Sequence, residues 1–358
     1  MNDNIYKELE NFNFPNKNEY NWKILQVKKK SDKENITLFS GELKDDNNKE
    51  KPLLYLKKFE IKGCNYDEEE LKHIIINLNI LYGLKDQDYF PNNISLLSSN
   101  FDECIYLIIK ENTIPLKNLI ALDYKFSYLN NNKLIKWIVY QITFGLYTLH
   151  YNKIIHHDLK PSNIFINSKG QISIFGFNSS IIKGEESYEY CLFYAAPELL
   201  IDREFNDEKV DMWSLGVIIL ELYLCQCPFF CKENINDNKA QLKNILNYFD
   251  VDENYSEENL KNDLNKDKNI QFQIKKSILD KINDQDAVEL INKLLILSPK
   301  QRFSAEKVLL SKYLIEFSGI NSLDNKPIKF PIDFKTIKDS KIDKNKFVEL
   351  IKEKIVQK

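Results

Sequence analysis

The amino-acid sequence predicts an α+β protein with two lobes, a small β-rich N-terminal lobe with one helix and a larger helical C-terminal lobe. Short β-like runs at 22–27, 36–43 and 53–59 are separated by charged turns, which is typical of a small antiparallel sheet. A segment at 67–84 begins with acidic residues and continues with apolar residues at helical spacing. From about residue 114 onward, apolar residues recur at intervals of three and four, as they do on helices packed against a core.

The remaining elements follow from the same patterns. Two further strands are predicted around NNISLLS and CIYLIIKE, and later helices at 132–150, 209–224, 286–297 and 304–314. Residues 232–285 are charged and rich in Asn, which indicates a long loop with one or two helices. We therefore divide the chain into an N-terminal arm, an N-lobe, a C-lobe and a C-terminal extension, at residues 1–20, 21–111, 112–315 and 316–358, with 21–315 as one domain.

Composition excludes several classes of function. The 358 residues are 43% hydrophobic and 29% charged, which is typical of a globular protein. A net charge of -3 gives no basic field for a nucleic acid, so no nucleic-acid partner is expected. The apolar stretch LGVIILELYL, about ten residues with Glu221 in it, is too short to span a bilayer, which needs roughly twenty, so no membrane insertion is expected.

The cysteines indicate a cytoplasmic protein with reduced thiols. The sequence starts without a basic segment followed by an apolar one, and the cysteines are scattered except for Cys225, Cys227 and Cys231. That cluster has no paired CxxC spacing and no histidine nearby, so burial at a helix end is favoured over a metal site. No metal site is predicted.

Several motifs in order carry a resemblance to a known family. HHDLKPSN at 156–163 is followed by ISIFGFNSS at 172–180, then AAPELL, KVDMWSLGVIILEL and LSPKQRFSAEKVL. Together they resemble the eukaryotic protein kinases, whose pattern is HRDLKPxN, then DFG, then APE and two later helices. The resemblance covers roughly residues 22–315, and LKPSN is similar to the Ser/Thr type. It implies a bilobal protein-kinase-like fold.

The resemblance also implies roles for single residues. Asp158 lies at the position of the catalytic base, Lys160 where such kinases contact the transferred phosphate, and Asn163 where the family holds a second metal ion. Lys57 in LLYLKKF is at the position of the lysine that pairs with the nucleotide phosphates. The alternative for Lys57 is an exposed strand lysine.

Other positions differ from the family pattern. Gly176 lies at the aspartate of DFG, Asn77 at the glutamate that pairs with the lysine, and Tyr55 at the alanine that lies over adenine. No glycine occurs in residues 1–40, where the loop that covers the phosphates would fall. Glycine has no side-chain oxygen to offer Mg²⁺. We therefore expect binding of ATP and Mg²⁺ to be weak or absent, and no cofactor.

Residues with architectural roles in the family are retained. Glu198 and Arg302 match a buried ion pair, and Arg302 is one of only two arginines in the chain. Asp211 matches the aspartate that caps the backbone of the catalytic loop, and His156 and Phe177 match two members of a hydrophobic column.

We interpret the chain as a pseudokinase, an inactive Ser/Thr kinase homologue that acts as a binding, scaffolding or allosteric module for an unidentified protein partner. The alternative is a divergent active kinase that transfers the γ-phosphate of ATP to protein hydroxyls. It would use Asp158 with a metal held by Asn163 alone or with Glu185 or Glu186. A third hypothesis is nucleotide binding without catalysis.

The C-terminal extension contains a helical stripe of Phe347, Leu350, Ile351 and Ile355. We expect this helix, within 343–358, to dock on the helical lobe of its own chain, from which a partner could displace it. The preceding segment NKPIKFPIDFKTIKDSK is expected to be flexible and extended.

Overall fold

The fold is described from a computed structural model. It describes residues 21–28, 36–44, 53–60, 66–91, 94–97, 104–110, 113–126, 129, 131–167, 169–183, 190–202, 207–230, 237–252, 254–266, 270, 272–323 and 327–356. The chain forms two compact units, one of Met1–Thr113 together with Ile328–Lys358, and one of Ile114–Pro327. Small sheets and many helices make it an α+β protein, as the sequence predicts.

The first unit contains an antiparallel sheet with the strand order β1-β2-β3-β5-β4. The sheet confirms the strands expected from the alternating pattern, with each boundary within a few residues of the prediction. Its strands are β1 (Asn21–Lys28), β2 (Ile36–Lys44), β3 (Leu53–Glu60), β4 (Ile94–Leu97) and β5 (Cys104–Lys110).

Helix α1 (Glu68–Leu84) follows β3. A capping box fixes its start: the Asp67 side chain accepts a hydrogen bond from the amide of Glu70, and the Glu70 side chain accepts one from the amide of Asp67. Three acidic residues in the first turn interact favourably with the positive end of the helix dipole. These acidic residues are also the signal that predicted the start of this helix from the sequence.

The C-terminal segment of the chain belongs to this first unit. It contains α11 (Phe334–Asp339), α12 (Lys344–Leu350) and a π-helical segment, Ile351–Val356, and each of the three contacts α1. The expectation that the apolar stripe docks on the helical lobe is therefore wrong. Phe347, Leu350, Ile351 and Ile355 are buried within the unit that carries α1.

The expectation of an extended approach to this helix is also wrong in part, because α11 lies within it. Asp333 caps the start of α11, with its carboxylate accepting a hydrogen bond from the amide of Lys335 at 3.3 Å. One turn and a half of helix between Pro331 and Ser340 is too short to give a clear periodic signal.

The second unit is mainly helical. Its elements are β6 (Thr113–Pro115, which begins in the first unit), α2 (Leu116–Phe126), α3 (Asn132–Tyr151), β7 (Ile154–Ile155), β8 (Ile164–Asn167), β9 (Ile172–Ile174), β10 (Ile181–Ile182), α4 (Pro197–Ile201), α5 (Lys209–Leu224), α6 (Asn238–Leu246), α7 (Glu257–Asn265), α8 (Lys276–Leu279), α9 (Gln285–Leu294) and α10 (Ala305–Leu309). Two short antiparallel pairs, β8 with β9 and β10 with β7, frame the segment around HHDLKPSN.

Helix α5 forms the centre of this unit. Every residue from Val210 to Leu222 is buried, and the helix contacts both α3 and α9. Such a helix, apolar on all sides, is typical of the core of a larger protein. Near its N-terminal end, Asp211 bonds to the backbone of the loop between β7 and β8.

Two expectations for the second unit need correction. Three short helices, α6 to α8, lie in the region where one or two were predicted. Cys225 is exposed at the end of α5 in the left-handed conformation, not buried, while Cys231 lies outside the described residues. Among the described residues, no group of three or more His, Cys, Asp or Glu side chains is placed to hold a metal ion.

Candidate active site

The candidate site is built on the loop between β7 and β8, which Asp211 of α5 holds in place. The Asp211 carboxylate accepts hydrogen bonds from the backbone amides of His156 and His157, each at 2.9 Å. This confirms the capping role expected for Asp211. His157 has a left-handed φ of 67°, so the loop turns sharply where Asp211 holds it.

A residue that sequence reasoning missed completes this anchor. His150, in the last turn of α3, donates from Nε2 to Asp211 Oδ2 at 2.8 Å. Burial favours the neutral form of Asp211, but the hydrogen bonds from the His150 side chain and the His156 amide keep the pKa of the carboxyl below its usual range. No local pattern in the sequence marks His150, because its contact with Asp211 joins residues 61 positions apart.

His156 is fully buried and orients the loop from inside. Its Nε2 donates to the Phe175 carbonyl at 2.8 Å, its Nδ1 accepts from the Asp158 amide at 3.3 Å, and its ring lies 5.1 Å from that of Phe177. Burial lowers the pKa of His156, so the ring is neutral near pH 7. The expected contact between His156 and Phe177 is therefore present.

Three sequence-predicted site residues lie together. Lys160 Nζ contacts both carboxylate oxygens of Asp158, at 2.8 and 2.6 Å. Asn163 Nδ2 donates to the Asp158 backbone carbonyl at 2.8 Å and to its Oδ2 at 2.9 Å. The one carboxylate of the loop is thus held by two donors from its own loop, and its charge is balanced by Lys160.

Gly176 adjoins this group at the end of β9. It has φ 85° and ψ 38°, a left-handed conformation that favours glycine. The amide of the preceding residue, Phe175, donates to the Asn163 carbonyl at 2.8 Å, which fixes this backbone beside the loop. Gly176, the residue expected at the position of a metal-binding carboxylate, thus offers a backbone with no side chain.

These residues do not fit the magnesium ions that the resemblance implies. Mg²⁺ requires oxygen ligands in near-octahedral geometry and is usually bound by one or two carboxylates. Gly176 supplies none, and both oxygens of Asp158 are engaged by Lys160. Only the Asn163 Oδ1 atom is left among the side-chain oxygens of the predicted set, which is too little for a metal site.

Two further residues singled out by the sequence lie in the first unit. Lys57 lies in β3, where its backbone pairs with Leu38 of β2 and Leu107 of β5. Asn77 is buried on α1. The lysine-rich part of the segment where a phosphate-covering loop would fall, 29–35, lies outside the described residues, as do Glu185 and Glu186.

The buried ion pair expected in the helical unit is present. Arg302 NH1 donates to Glu198 Oε1 at 2.7 Å and NH2 donates to Oε2 at 3.1 Å, and the two side chains are 0% and 1% exposed. Further donation to the carbonyls of Lys209 and Ile296 satisfies the guanidinium. Arg302 also lies over the Trp213 ring, at 5.1 Å from its centroid.

Comparison with known proteins decides the family. The family model described as the protein kinase domain matches residues 47–314, which is well over half of the chain. The chain belongs to the protein kinase family. The matched part of this kinase domain includes the HHDLKPSN segment and begins only after β2.

Curated relatives of this kinase domain include Ser/Thr and mitogen-activated protein kinases. It is 29% identical over 194 residues to the probable serine/threonine-protein kinase glkA of Dictyostelium discoideum (53% of this chain, 40% of the relative). It is 30% identical over 206 residues to the mitogen-activated protein kinase mpkC of Aspergillus fumigatus (56% and 52%). It is 27% identical over 221 residues to mitogen-activated protein kinase 13 of Arabidopsis thaliana (60% of each chain). The chain spans about half the length of the curated relatives it matches.

A helix that crosses a membrane must be both long and apolar. In the part of the chain that the structure describes, none combines the length and the apolar character needed to cross a bilayer.

Proposed function

We propose that this kinase domain is a pseudokinase, a Ser/Thr-type homologue with little or no phosphotransfer that serves as a binding, scaffolding or allosteric module for a protein partner. One observation carries the proposal: beside Asp158 and Asn163, the chain has the bare backbone of Gly176 in place of a metal-binding carboxylate. Phosphoryl transfer depends on metal ions to neutralise the developing charge.

The expected loss of transition-state stabilisation is large enough to favour an inactive protein. Every 1.4 kcal/mol lost from transition-state stabilisation lowers a rate about tenfold, and a catalytic metal contributes several kcal/mol. With Asn77 in place of the glutamate that would pair with Lys57, a second contribution is lost. The retained Asp158 would still be placed to accept a hydroxyl proton, but without an activated phosphate for that hydroxyl to attack.

We further propose that ATP is bound weakly or not at all. The family match begins at residue 47, so the segment in which a phosphate-covering loop would fall lies outside it. That segment has no glycine before Gly41, which leaves its backbone amides shielded by Cβ atoms. Tyr55, at the alanine position of β3, would add a phenol where adenine lies in the family.

The proposal also assigns the two lobes of the kinase fold and the cellular compartment of the protein. The two compact units are taken as the N- and C-lobes of the kinase fold. The location is taken as the cytoplasm, a reducing compartment, which agrees with the free thiols of Cys191, Cys225 and Cys227.

The alternative, an active Ser/Thr kinase, is favoured by the grouping of Asp158, Lys160 and Asn163. A base beside a phosphate-contacting lysine is what transfer to a protein hydroxyl needs. In this alternative Asn163 would hold a metal ion, alone or together with Glu185 or Glu186. Magnesium-dependent phosphotransfer distinguishes the two hypotheses.

The test is a phosphotransfer assay with the purified protein, ATP, Mg²⁺ or Mn²⁺, and generic protein substrates. We expect no autophosphorylation or transfer above the level of the Asp158→Asn variant. Transfer by the wild type that Asp158→Asn abolishes would show an active kinase.

A thermal-shift titration with ATP, with and without Mg²⁺, tests the third hypothesis of nucleotide binding without catalysis. We expect no shift below millimolar ATP. A saturable shift at micromolar ATP that Lys57→Ala removes would establish a nucleotide-binding module.

A further inference from the structure

Gly176 and Asn163 are packed against each other more closely than a side chain at residue 176 allows. A Cβ atom built on Gly176 would lie 2.5 Å from Asn163 Nδ2 and 2.8 Å from Asn163 Oδ1, and it would also meet Cγ of the same side chain. Real Cβ atoms essentially never approach other heavy atoms this closely. The Asn163 amide therefore occupies the volume in which the stem of a side chain at residue 176 would lie.

Two other glycines with positive φ lack this close packing. Gly170 has φ 75°, and the nearest atom to a Cβ there is Trp137 Cδ1 at an ordinary 3.7 Å. Gly319 has φ 91°, and nothing lies within 4 Å of a Cβ there. All three positions strain a non-glycine residue through φ alone, but only at Gly176 does the added atom collide with a side chain.

The position of Asn163 has a consequence for Asp158. From the volume beside Gly176, the Asn163 amide reaches both the backbone carbonyl and the carboxylate of Asp158. Lys160, in the same loop, contacts both carboxylate oxygens of Asp158 as well. The negative charge of Asp158 is therefore balanced by the ammonium group of Lys160 in the same loop.

We propose that Asn163 and Gly176 form a metal-free lock, in which the Asn163 amide takes the volume vacated at residue 176 and holds Asp158 against Lys160. Asn163 is then a positioning residue of the loop, not a metal ligand. The inference rests on the proposed function and deepens it: the site is closed by a packed arrangement, so restoring the missing aspartate alone does not reopen it.

A double-mutant cycle tests the lock by thermal unfolding. We expect Gly176→Ala to lower Tm by at least twice as much as Gly170→Ala or Gly319→Ala, which share the left-handed φ without the collision. In the Asn163→Ala background, the added Gly176→Ala change should lower Tm only by the amount seen for the two control glycines. An equal drop for all three glycines, or an excess that persists without the Asn163 amide, would overturn the proposal.

The double-mutant cycle still tests the lock if the Gly176→Ala variant alone does not fold. Recovery of folded protein in the Asn163→Ala/Gly176→Ala variant supports the lock. If that double variant is unfolded while Asn163→Ala is folded, residue 176 requires glycine for another reason and the lock is wrong.

The second measurement uses Gly176→Asp with Mg²⁺ or Mn²⁺ alone as the probe. We expect no metal-dependent rise in Tm beyond that of the wild type, because Asn163 blocks the new carboxylate. A rise that appears with metal in Gly176→Asp contradicts the lock. Activity of the wild type in the phosphotransfer assay overturns the proposed function instead, so the two failures are distinguishable.

Discussion

Asn79 of α1 and Ile332 of the C-terminal segment exchange two hydrogen bonds. The Asn79 Nδ2 atom donates to the Ile332 carbonyl and the Ile332 amide donates to Asn79 Oδ1, each at 2.8 Å. Asn79 is 0% exposed, and the two residues are 253 positions apart in the sequence. The Asn79 side chain thus satisfies both the amide and the carbonyl of Ile332, as a neighbouring β-strand would.

Neighbouring contacts extend this link along α1. The Phe330 ring lies so close to Gly83 that a Cβ there would be 2.7 Å from its Cε1 atom, and the Ile342 amide donates to Glu68 Oε1 at 3.3 Å. The C-terminal segment therefore follows the helix from its last turn to its first. Because residues 328–358 lie beyond the family match, which ends at 314, this restraint on α1 is an addition to the matched domain.

Replacing Asn79 with Ala should destabilise the first unit. A buried donor and a buried acceptor of Ile332 would lose their partners, and each such group costs about 1–3 kcal/mol. Chemical denaturation measures the loss. Glu69→Ala on the exposed side of the same helix is the control, since its 3.5 Å pair with Lys72 is a surface pair worth about 0–1 kcal/mol. Equal stability of the two variants would contradict the structural role of Asn79.

Deleting residues 343–358 should loosen α1. The deletion removes Phe347, Leu350, Ile351 and Ile355, which are buried, and each large apolar side chain contributes up to about 1.5–3 kcal/mol. We expect a loss of several kcal/mol from the first unit, faster hydrogen exchange of the α1 amides, and a greater tendency to aggregate. Exchange in α5, which lies in the second unit, should be unchanged and serves as the internal control.

The opposite outcome of the deletion is equally clear. If α1 exchanges at the same rate in the truncated and the full chain, the C-terminal segment does not restrain it. Faster exchange in both α1 and α5 would mean that the deletion unfolds the chain as a whole.

The sequence predicted those features that a local pattern determines. Asp158, Lys160 and Asn163 come together because they lie within six residues of one loop, and Glu198 and Arg302 were paired through the family motifs. The stripe on α12 predicted that one face is buried, but a helical period does not say which surface covers it. Docking on α1 depends on Asn79 and Gly83, which look unremarkable in a helix sequence.

The position of the Asn163 amide could not be predicted either. The sequence shows the missing carboxylate at Gly176, but only packing shows that a neighbour fills the volume. His150 was missed for a similar reason, since its role follows from the fold bringing the end of α3 to the start of α5.

Asp211→Asn should destabilise the second unit in a pH-dependent way. Three donors converge on the Asp211 carboxylate, and an amide retains only one acceptor oxygen, so a buried donor loses its partner at a cost of about 1–3 kcal/mol. Because the pKa of Asp211 is lowered in the folded protein, its contribution is fully present above the unfolded value of about 3.9. As pH falls below that value the unfolded chain binds the proton first, and the contribution is lost.

The measurement is the difference in unfolding free energy between wild type and Asp211→Asn from pH 7 to the acid limit of folding. The difference should be constant above about pH 5 and decrease below about pH 4. A difference that grows on acidification would show that the folded state holds the Asp211 proton more tightly, which is opposite to the direction given by its hydrogen bonds.

Arg302→Ala should be severely destabilising. Truncation leaves the Glu198 carboxylate, 1% exposed, without the two guanidinium donors that balance its charge. Breaking a buried pair from one side costs about 3–5 kcal/mol, because the remaining charge stays buried and uncompensated. The carbonyls of Lys209 and Ile296 lose donors as well, and the Trp213 ring loses the cation above it. Arg302→Lys should recover little of this, since a single ammonium group cannot make the paired contact with both carboxylate oxygens.

A matched exposed pair in the same unit supplies the control for Arg302. Lys312 contacts Asp286 at 2.7 Å, but the lysine side chain is 74% exposed and screened by solvent, so Lys312→Ala should change stability very little. Restoring charge balance tests the mechanism further: Glu198→Gln combined with Arg302→Met removes both charges and should be more stable than Arg302→Ala alone. If Arg302→Ala and Lys312→Ala unfold at the same denaturant concentration, the buried pair does not hold the helical unit together. If the double variant is no better than Arg302→Ala, the cost arises from lost packing against Trp213 and not from the uncompensated carboxylate.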